Sequence, residues 1–335
     1  MPLFGRSKRG AAAPAINFDP YYGHPQARWI AERCQAGDWR AVHELCESES
    51  DWHARHRLAD VIGDLPQFPS GWVEQTGGAS FPLLARGVFR IREAWRVRGN
   101  GRAEGVSATA WRPFGDWLRD AQRDLLTAAE RRPADPNPWA YLLLVSMGLS
   151  LGTDVALEWY GEATARDADF QPAHMRIIDP VAKKWGGSHE LMFEVARRAD
   201  ATLPEGSPGR VAIVRAHAER HLYHLAFDND EAAAQNYYRD PAVGAEIGAA
   251  AQRSVLSPLL PVNAETPALR SQFTLALALA GDGDRRYRLM AAYLFDALGD
   301  SVPDYPWTSR WPQTGGQQYL RIRTLCQRER EAGPA

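Results

Sequence analysis

A polar residue followed by proline recurs through the latter part of this chain at nearly constant spacing: Asn137-Pro138, Gln171-Pro172, Ser207-Pro208, Asp240-Pro241 and Thr266-Pro267. The prolines lie 34, 36, 33 and 26 residues apart. Proline in the first helical turn gives up no hydrogen bond, and Asn, Ser, Asp or Thr just before it can accept from the exposed amides. Each pair therefore marks a helix start. A recurrence near 34 residues is the length of one helix–turn–helix unit, too small to bury its own apolar face.

The intervals have the interiors such units need. A helix from about Pro138 to Ser150 is followed by Gly152-Thr153 and a second helix carrying Val155, Trp159 and Ala163. The next unit runs from Pro172 to a break at Trp185-Gly186-Gly187, after which Ser188 caps a helix striped by Leu191, Met192, Val195, Ala199 and Leu203. A last pair starts at Pro267, turns at Gly281–Asp284 and continues with Tyr287, Met290, Leu294 and Leu298. Spacings of three and four put one apolar face on each helix. The reading is an all-α chain, a TPR-like α-solenoid of antiparallel helix pairs over residues 133–335.

Residues 21–132 read as a less regular helical region continuous with the repeats. It holds a short pair over Gln26–Glu47, a helix over Asp51–Ile62 and a long loop over Leu65–Gly78. A helix over Pro82–Arg98, a glycine-bearing connector (Gly99, Gly101, Gly105) and a helix carrying Phe114, Leu118, Ala121, Leu125 and Ala128 follow. Residues 1–20 read as a disordered tail, because Pro14 and Asn17 break the apolar run a secretory signal needs. No apolar stretch approaches the roughly 20 residues of a membrane span.

Glu93 to Ala199 resembles a bacterial helical family catalogued as a domain of unknown function. The matching elements are Ala94-Trp95 with Arg98-Gly99, Pro133-Ala134-Asp135-Pro136, Met147-Gly148-Leu149, and Lys184-Trp185-Gly186-Gly187-Ser188 ahead of Phe193-Glu194-Val195-Ala196-Arg197. The resemblance implies a TPR-like fold and brings no catalytic residues with it. Asp179-Pro180 stands where that family's pattern has an apolar pair, and a kink is expected there.

Composition narrows the function. A net charge of −2 argues against a nucleic-acid coat. Of 39 basic residues all but Lys8, Lys183 and Lys184 are arginine, a bias that codon usage in a GC-rich genome explains. Three cysteines (Cys34, Cys46, Cys326) are an odd number and too few for a disulfide framework or a four-thiolate zinc site. With the broken N-terminal run and no spanning stretch, the expected location is the cytoplasm.

The expected function is a non-enzymatic scaffold that binds a protein or peptide partner in its concave groove, with no cofactor. The candidate partner-binding residues are Trp185, His217, His221, His224, Arg86, Arg90, Trp307 and Trp311. His217, His221 and His224 at i, i+4 and i+7 also suit a metal such as zinc, although His217–His221 is not the HExxH of zinc proteases. They are expected to flank a core stripe of Val211, Val214, Ala218, Leu222 and Leu225. Arg86, Arg90, Arg92, Arg96, Arg98 and Arg102 surround a single acid, Glu93, and read as a solvated face paired with acidic neighbours. Trp307 and Trp311 sit in a loop-like segment and are expected to pin it to the last helix pair. Two enzyme readings stand as alternatives: a metal-dependent hydrolase using the histidines, or a helical-toroid carbohydrate enzyme using carboxylates such as Asp116, Glu158 and Asp304 beside tryptophans.

Overall fold

The computed structural model describes residues 16–99, 108–299 and 301–332. Most of the expected tail, and Gly101, Arg102 and Gly105 of the expected connector, lie outside the described residues. Every regular element among the described residues is helical. The chain runs α1 (Ala27–Gln35), α2 (Arg40–Ser48), α3 (Trp52–Gly63), α4 (Trp72–Gln75), α5 (Ser80–Arg98), α6 (Ala108–Arg131), α7 (Asn137–Gly148) and α8 (Thr153–Arg166). Then come α9 (Gln171–Val181), α10 (His189–Thr202), α11 (Val211–Tyr223), α12 (Glu231–Tyr237), α13 (Pro241–Gln252), α14 (Thr266–Ala280), α15 (Arg285–Leu298), α16 (Trp307–Arg310) and α17 (Gly315–Glu331). Among the described residues no helix is long and apolar enough to cross a membrane.

Local chemistry explains most of the starts. Asp51, Ser188, Asp230, Asp240 and Asp284 each accept from an amide in the first turn of α3, α10, α12, α13 and α15. Three of the polar–proline pairs work differently. Thr266 lies inside α14, and its hydroxyl accepts from the Asn263 amide outside the helix. Asn137 lies inside α7, and its side chain donates to the Trp52 carbonyl and to Asp135 instead of capping its own helix. Gln171 likewise spends its amide nitrogen on the Glu265 carbonyl. The latter two tie one helix to a distant one.

The helices form two rows. Contacts link α3 to α7 and α9, α7 to α9, α9 to α11 and α11 to α14, giving an inner row. Helices α6, α8, α10, α13 and α15 back it from outside, each against its sequence neighbour. One continuous apolar core runs from Ala27 to Cys326. Each fully buried phenylalanine in it (Phe81, Phe114, Phe273, Phe295) contributes roughly 1.5–3 kcal/mol of apolar transfer.

The ends of the array meet. Arg57 on α3 pairs with Glu265 at the head of α14, and the Asp19 amide donates to the Val302 carbonyl at 2.8 Å. Residues 16–20, at the edge of the expected tail, thus lie against the far end of the chain.

Three expectations need amending. The Leu65–Gly78 loop contains α4, whose Trp72 is fully buried. The loop-like C-terminal segment contains α16 and is followed by the long α17, which buries Tyr319, Ile322 and Cys326. On α11 and the turn after it, Val211 and Val214 are buried as expected, but beyond them the stripes are exchanged. His217 and His221 are buried with Val211 and Val214, while Leu222 and Leu225 are 40% and 44% exposed.

Candidate functional site

The inner row encloses a cavity of about 660 Å³. Helices α3, α5, α7, α9, α11 and α14 wall it, with Phe18, Pro20 and Tyr22 on one side and Asp304-Tyr305 on another. Four arginines (Arg57, Arg92, Arg176, Arg215) and five carboxylates (Asp60, Asp64, Asp179, Glu265, Asp304) share this space. Buried charges are tolerated only when paired and hydrogen-bonded, so their partners decide what the site can do.

Most of the charges are satisfied internally. Glu265 accepts from Arg57 Nε at 2.9 Å and Nη2 at 3.0 Å. Arg92 Nε stands 2.9 Å from Asp64, and Nη2 donates to Asp60 at 3.1 Å. Arg215 engages Asp179, the Tyr305 hydroxyl and Glu219, the last at 2.7 Å. Asp60 also accepts from Arg57 at 3.3 Å and from the Tyr141 hydroxyl at 2.8 Å. Burial alone would raise the Asp60 carboxyl, but its cationic neighbours win and hold it well below the usual carboxylate range. Glu265 goes the other way: burial raises its pKa to about 7 against the pull of Arg57.

Arg176 is the exception. Its guanidinium lies over the Tyr141 ring, 4.0 Å from the centroid. Its nearest carboxylate oxygen, on the already crowded Asp60, is 3.7 Å away. Nη1 is buried and has no hydrogen-bond partner. Leaving such a donor unmade costs about 1–3 kcal/mol, more for a charged group.

His56 beside it is held neutral by burial. Asn137 donates with its nitrogen to Trp52 and Asp135, so its oxygen accepts from His56 Nδ1–H at 2.7 Å. Nε2 is then the bare nitrogen, 3.7 Å from Asp60.

A second cleft, of about 450 Å³, is built around the Lys184-Trp185-Gly186 motif. Trp185 closes a 3₁₀ turn, Gly186 takes φ +97°, and Ser188 caps α10. The Trp185 ring stands edge-on to Trp95 at 5.8 Å, and Arg98 lies within 6 Å of the Trp95, Trp111 and Trp185 ring centroids. Lys184 pairs with Glu219 at 2.5 Å. Asp179 faces the cavity and Pro180 the cleft, so the two sites flank the C-terminal end of α9.

The other sequence-derived candidates lie apart from both sites, although the three histidines gather around the Tyr237 ring, each within about 6 Å of it. His217 is bonded to the Tyr237 hydroxyl at 2.8 Å and to Glu246 at 3.1 Å. His221 packs on Tyr238 beside Arg310, and burial lowers its pKa to about 4. His224 opens a π-helical turn and faces Asp228 at 3.4 Å. Among the described residues no group of three or more His, Cys, Asp or Glu side chains is arranged to hold a metal ion. Arg86 grips Asp124 with two 2.9 Å bonds and reaches Glu74, and Arg90 shares Asp124. Trp307 is fully buried, donates to Ser271 at 2.9 Å and stacks on Trp311, which pins the segment.

Of the carboxylates considered for sugar chemistry, Asp304 reaches the cavity, whereas Asp116 and Glu158 are exposed elsewhere. Among the described residues the cavity lining holds no tryptophan, and the tryptophan cleft holds no carboxylate.

The cavity's charged cluster went unread in the sequence, although a signal existed. Asp60 lies among the core positions of α3, and Arg176 among those of α9. The chain matches no protein-family model, no curated protein and no solved structure.

Proposed function

We propose that this protein is a non-enzymatic, TPR-like helical scaffold of the cytoplasm that binds a protein or peptide partner, with the Trp185 cleft as the anchor. The cleft carries the reading. It combines partly exposed indoles with Arg98, Met147, and Gly152 and Gly186, where the space a Cβ would take is open to a partner backbone. Tryptophan and arginine dominate binding hot spots, and charged carboxylates are scarce at interface centres, as they are here. Part of the array supports the same reading: α7, α9 and α11 start 34 and 40 residues apart, close to the length of one helix pair, although α14 follows only after 55. Three unpaired, buried thiols are compatible with a reducing compartment.

Capture from an extract of the native host, followed by mass spectrometry, tests it. Trp185→Ala should abolish capture of the partner that the unaltered protein retains, while Tm stays within a few degrees. Unchanged capture would refute the cleft as anchor, and joint loss of capture and fold would make Trp185 a structural residue.

A further inference from the structure

Arg176 lacks a counter-ion of its own. Each other cavity arginine has a carboxylate, Arg57 with Glu265, Arg92 with Asp64 and Arg215 with Asp179. Asp60, nearest to Arg176, already accepts from Arg57, Arg92 and Tyr141. Arg176 is 6% exposed, lines the cavity, and has a buried Nη1 without a partner. Nη1 itself is sealed from solvent, so a ligand anion would meet the guanidinium at the part that lines the cavity.

The opposite sign is in excess at the mouth. Asp64 is 61% exposed in its side chain, and Asp304 is also exposed; both line the same cavity. Although the side chain meets solvent, desolvation by the surrounding protein raises the Asp64 carboxyl, Arg92 opposes this, and the charges of Asp60 and Asp304 push it further up. A cation placed there relieves that repulsion. Leu144, Met175 and Ala268 supply apolar wall to the same cavity. Closure of the array by Arg57–Glu265, with Phe18, Pro20 and Tyr22 on one flank, suits a compact molecule, and the volume falls within the ~300–1,000 Å³ of small-molecule sites.

We infer that the interior cavity is a binding site for a small zwitterionic carboxylate of the free amino-acid class, its carboxylate on Arg176 and its ammonium group toward Asp64 and Asp304. This site stands apart from the partner anchor at Trp185 and does not depend on it.

The experiment measures thermal shift and calorimetric affinity of the full chain with the twenty standard free amino acids. The carboxamide and N-acetyl forms of any binder serve as controls, with succinate and inorganic phosphate as plain anions. At least one free amino acid should bind saturably, and both blocked forms should bind at least tenfold more weakly. Arg176→Gln should weaken it tenfold or more with helical circular dichroism retained. Should that variant fail to fold, the exposed Asp64→Asn should still weaken the zwitterion while leaving succinate no weaker. Trp185→Ala should leave the amino-acid affinity unchanged, which separates this site from the partner anchor. No binding across the amino acids, equal binding of the blocked forms, succinate or phosphate binding as tightly, or an affinity indifferent to Arg176→Gln would each overturn the assignment.

Discussion

Arg57 on α3 holds Glu265 at the head of α14 through two nitrogens, across 208 residues of sequence. The pair is buried, and Arg57 also lies over the Tyr22 ring, 3.6 Å from its centroid. One interaction thus joins the first long helix of the array, its far end and the N-terminal segment. Removing one partner of a buried pair strands the other, a loss of about 3–5 kcal/mol, whereas replacing both with apolar groups of similar volume is often near neutral. Arg57→Ala should therefore be far less stable than the double variant Arg57→Met/Glu265→Met in urea unfolding. Equal losses would mean that the pair does not close the array.

Gly187 makes a sharper test of local packing. A Cβ built there would sit 1.9 Å from the Val181 carbonyl oxygen, a backbone atom that cannot move aside alone. Gly186 has room for a side chain but takes φ +97°. Gly186→Ala should cost about 1 kcal/mol through the backbone. Gly187→Ala should cost more, because α9 must shift against α10. Chemical denaturation of the two variants checks the order.

Helix positions were readable because they are set locally. Asp51, Ser188 and Asp240 cap the helices that their sequence context marks, and the turns at Gly37, Gly152 and Gly186 fall between helices with positive φ. The long α17 escaped because Arg321 and Arg323 break up a narrow buried stripe, Tyr319, Ile322 and Cys326, whose spacing of three and four was nonetheless present. The cavity escaped for a different reason. Its charges become meaningful only when α3, α9, α11 and α14 come together, and nothing local pairs Arg57 with a residue 208 positions away.

The exchanged stripes of α11 show where apolar patterning misleads. Leucines outrank histidines on any hydropathy scale, yet His217 finds Tyr237 and Glu246, and His221 finds Tyr238 and Arg310. These partners come from α12, α13 and the segment after α15, so burial of the imidazoles satisfies polar groups on three neighbours. His217→Ala should then cost about 1–3 kcal/mol by stranding those groups. Leu222→Gln, on the exposed face, should stay within about 0.5 kcal/mol. Comparable losses would restore the leucines to the core.

Glu246 carries the pH dependence of that same cluster. Hydrogen bonds from Arg197 and His217 lower its carboxyl pKa to about 2, with burial opposing. A folded pKa below the ordinary 4.5 means that the unfolded chain binds the proton more tightly. The stabilisation is therefore complete above pH 4.5 and drains away as pH falls through about 2. The side chain is partly open to solvent, so screening reduces the effect to about 1 kcal/mol. Glu246→Gln cannot titrate and should be less stable than the unaltered protein at pH 6, with the gap narrowing progressively from pH 4.5 to pH 2. Unfolding midpoints of the two proteins across that range decide it: a gap independent of pH would show that Glu246 acts by packing and not by charge.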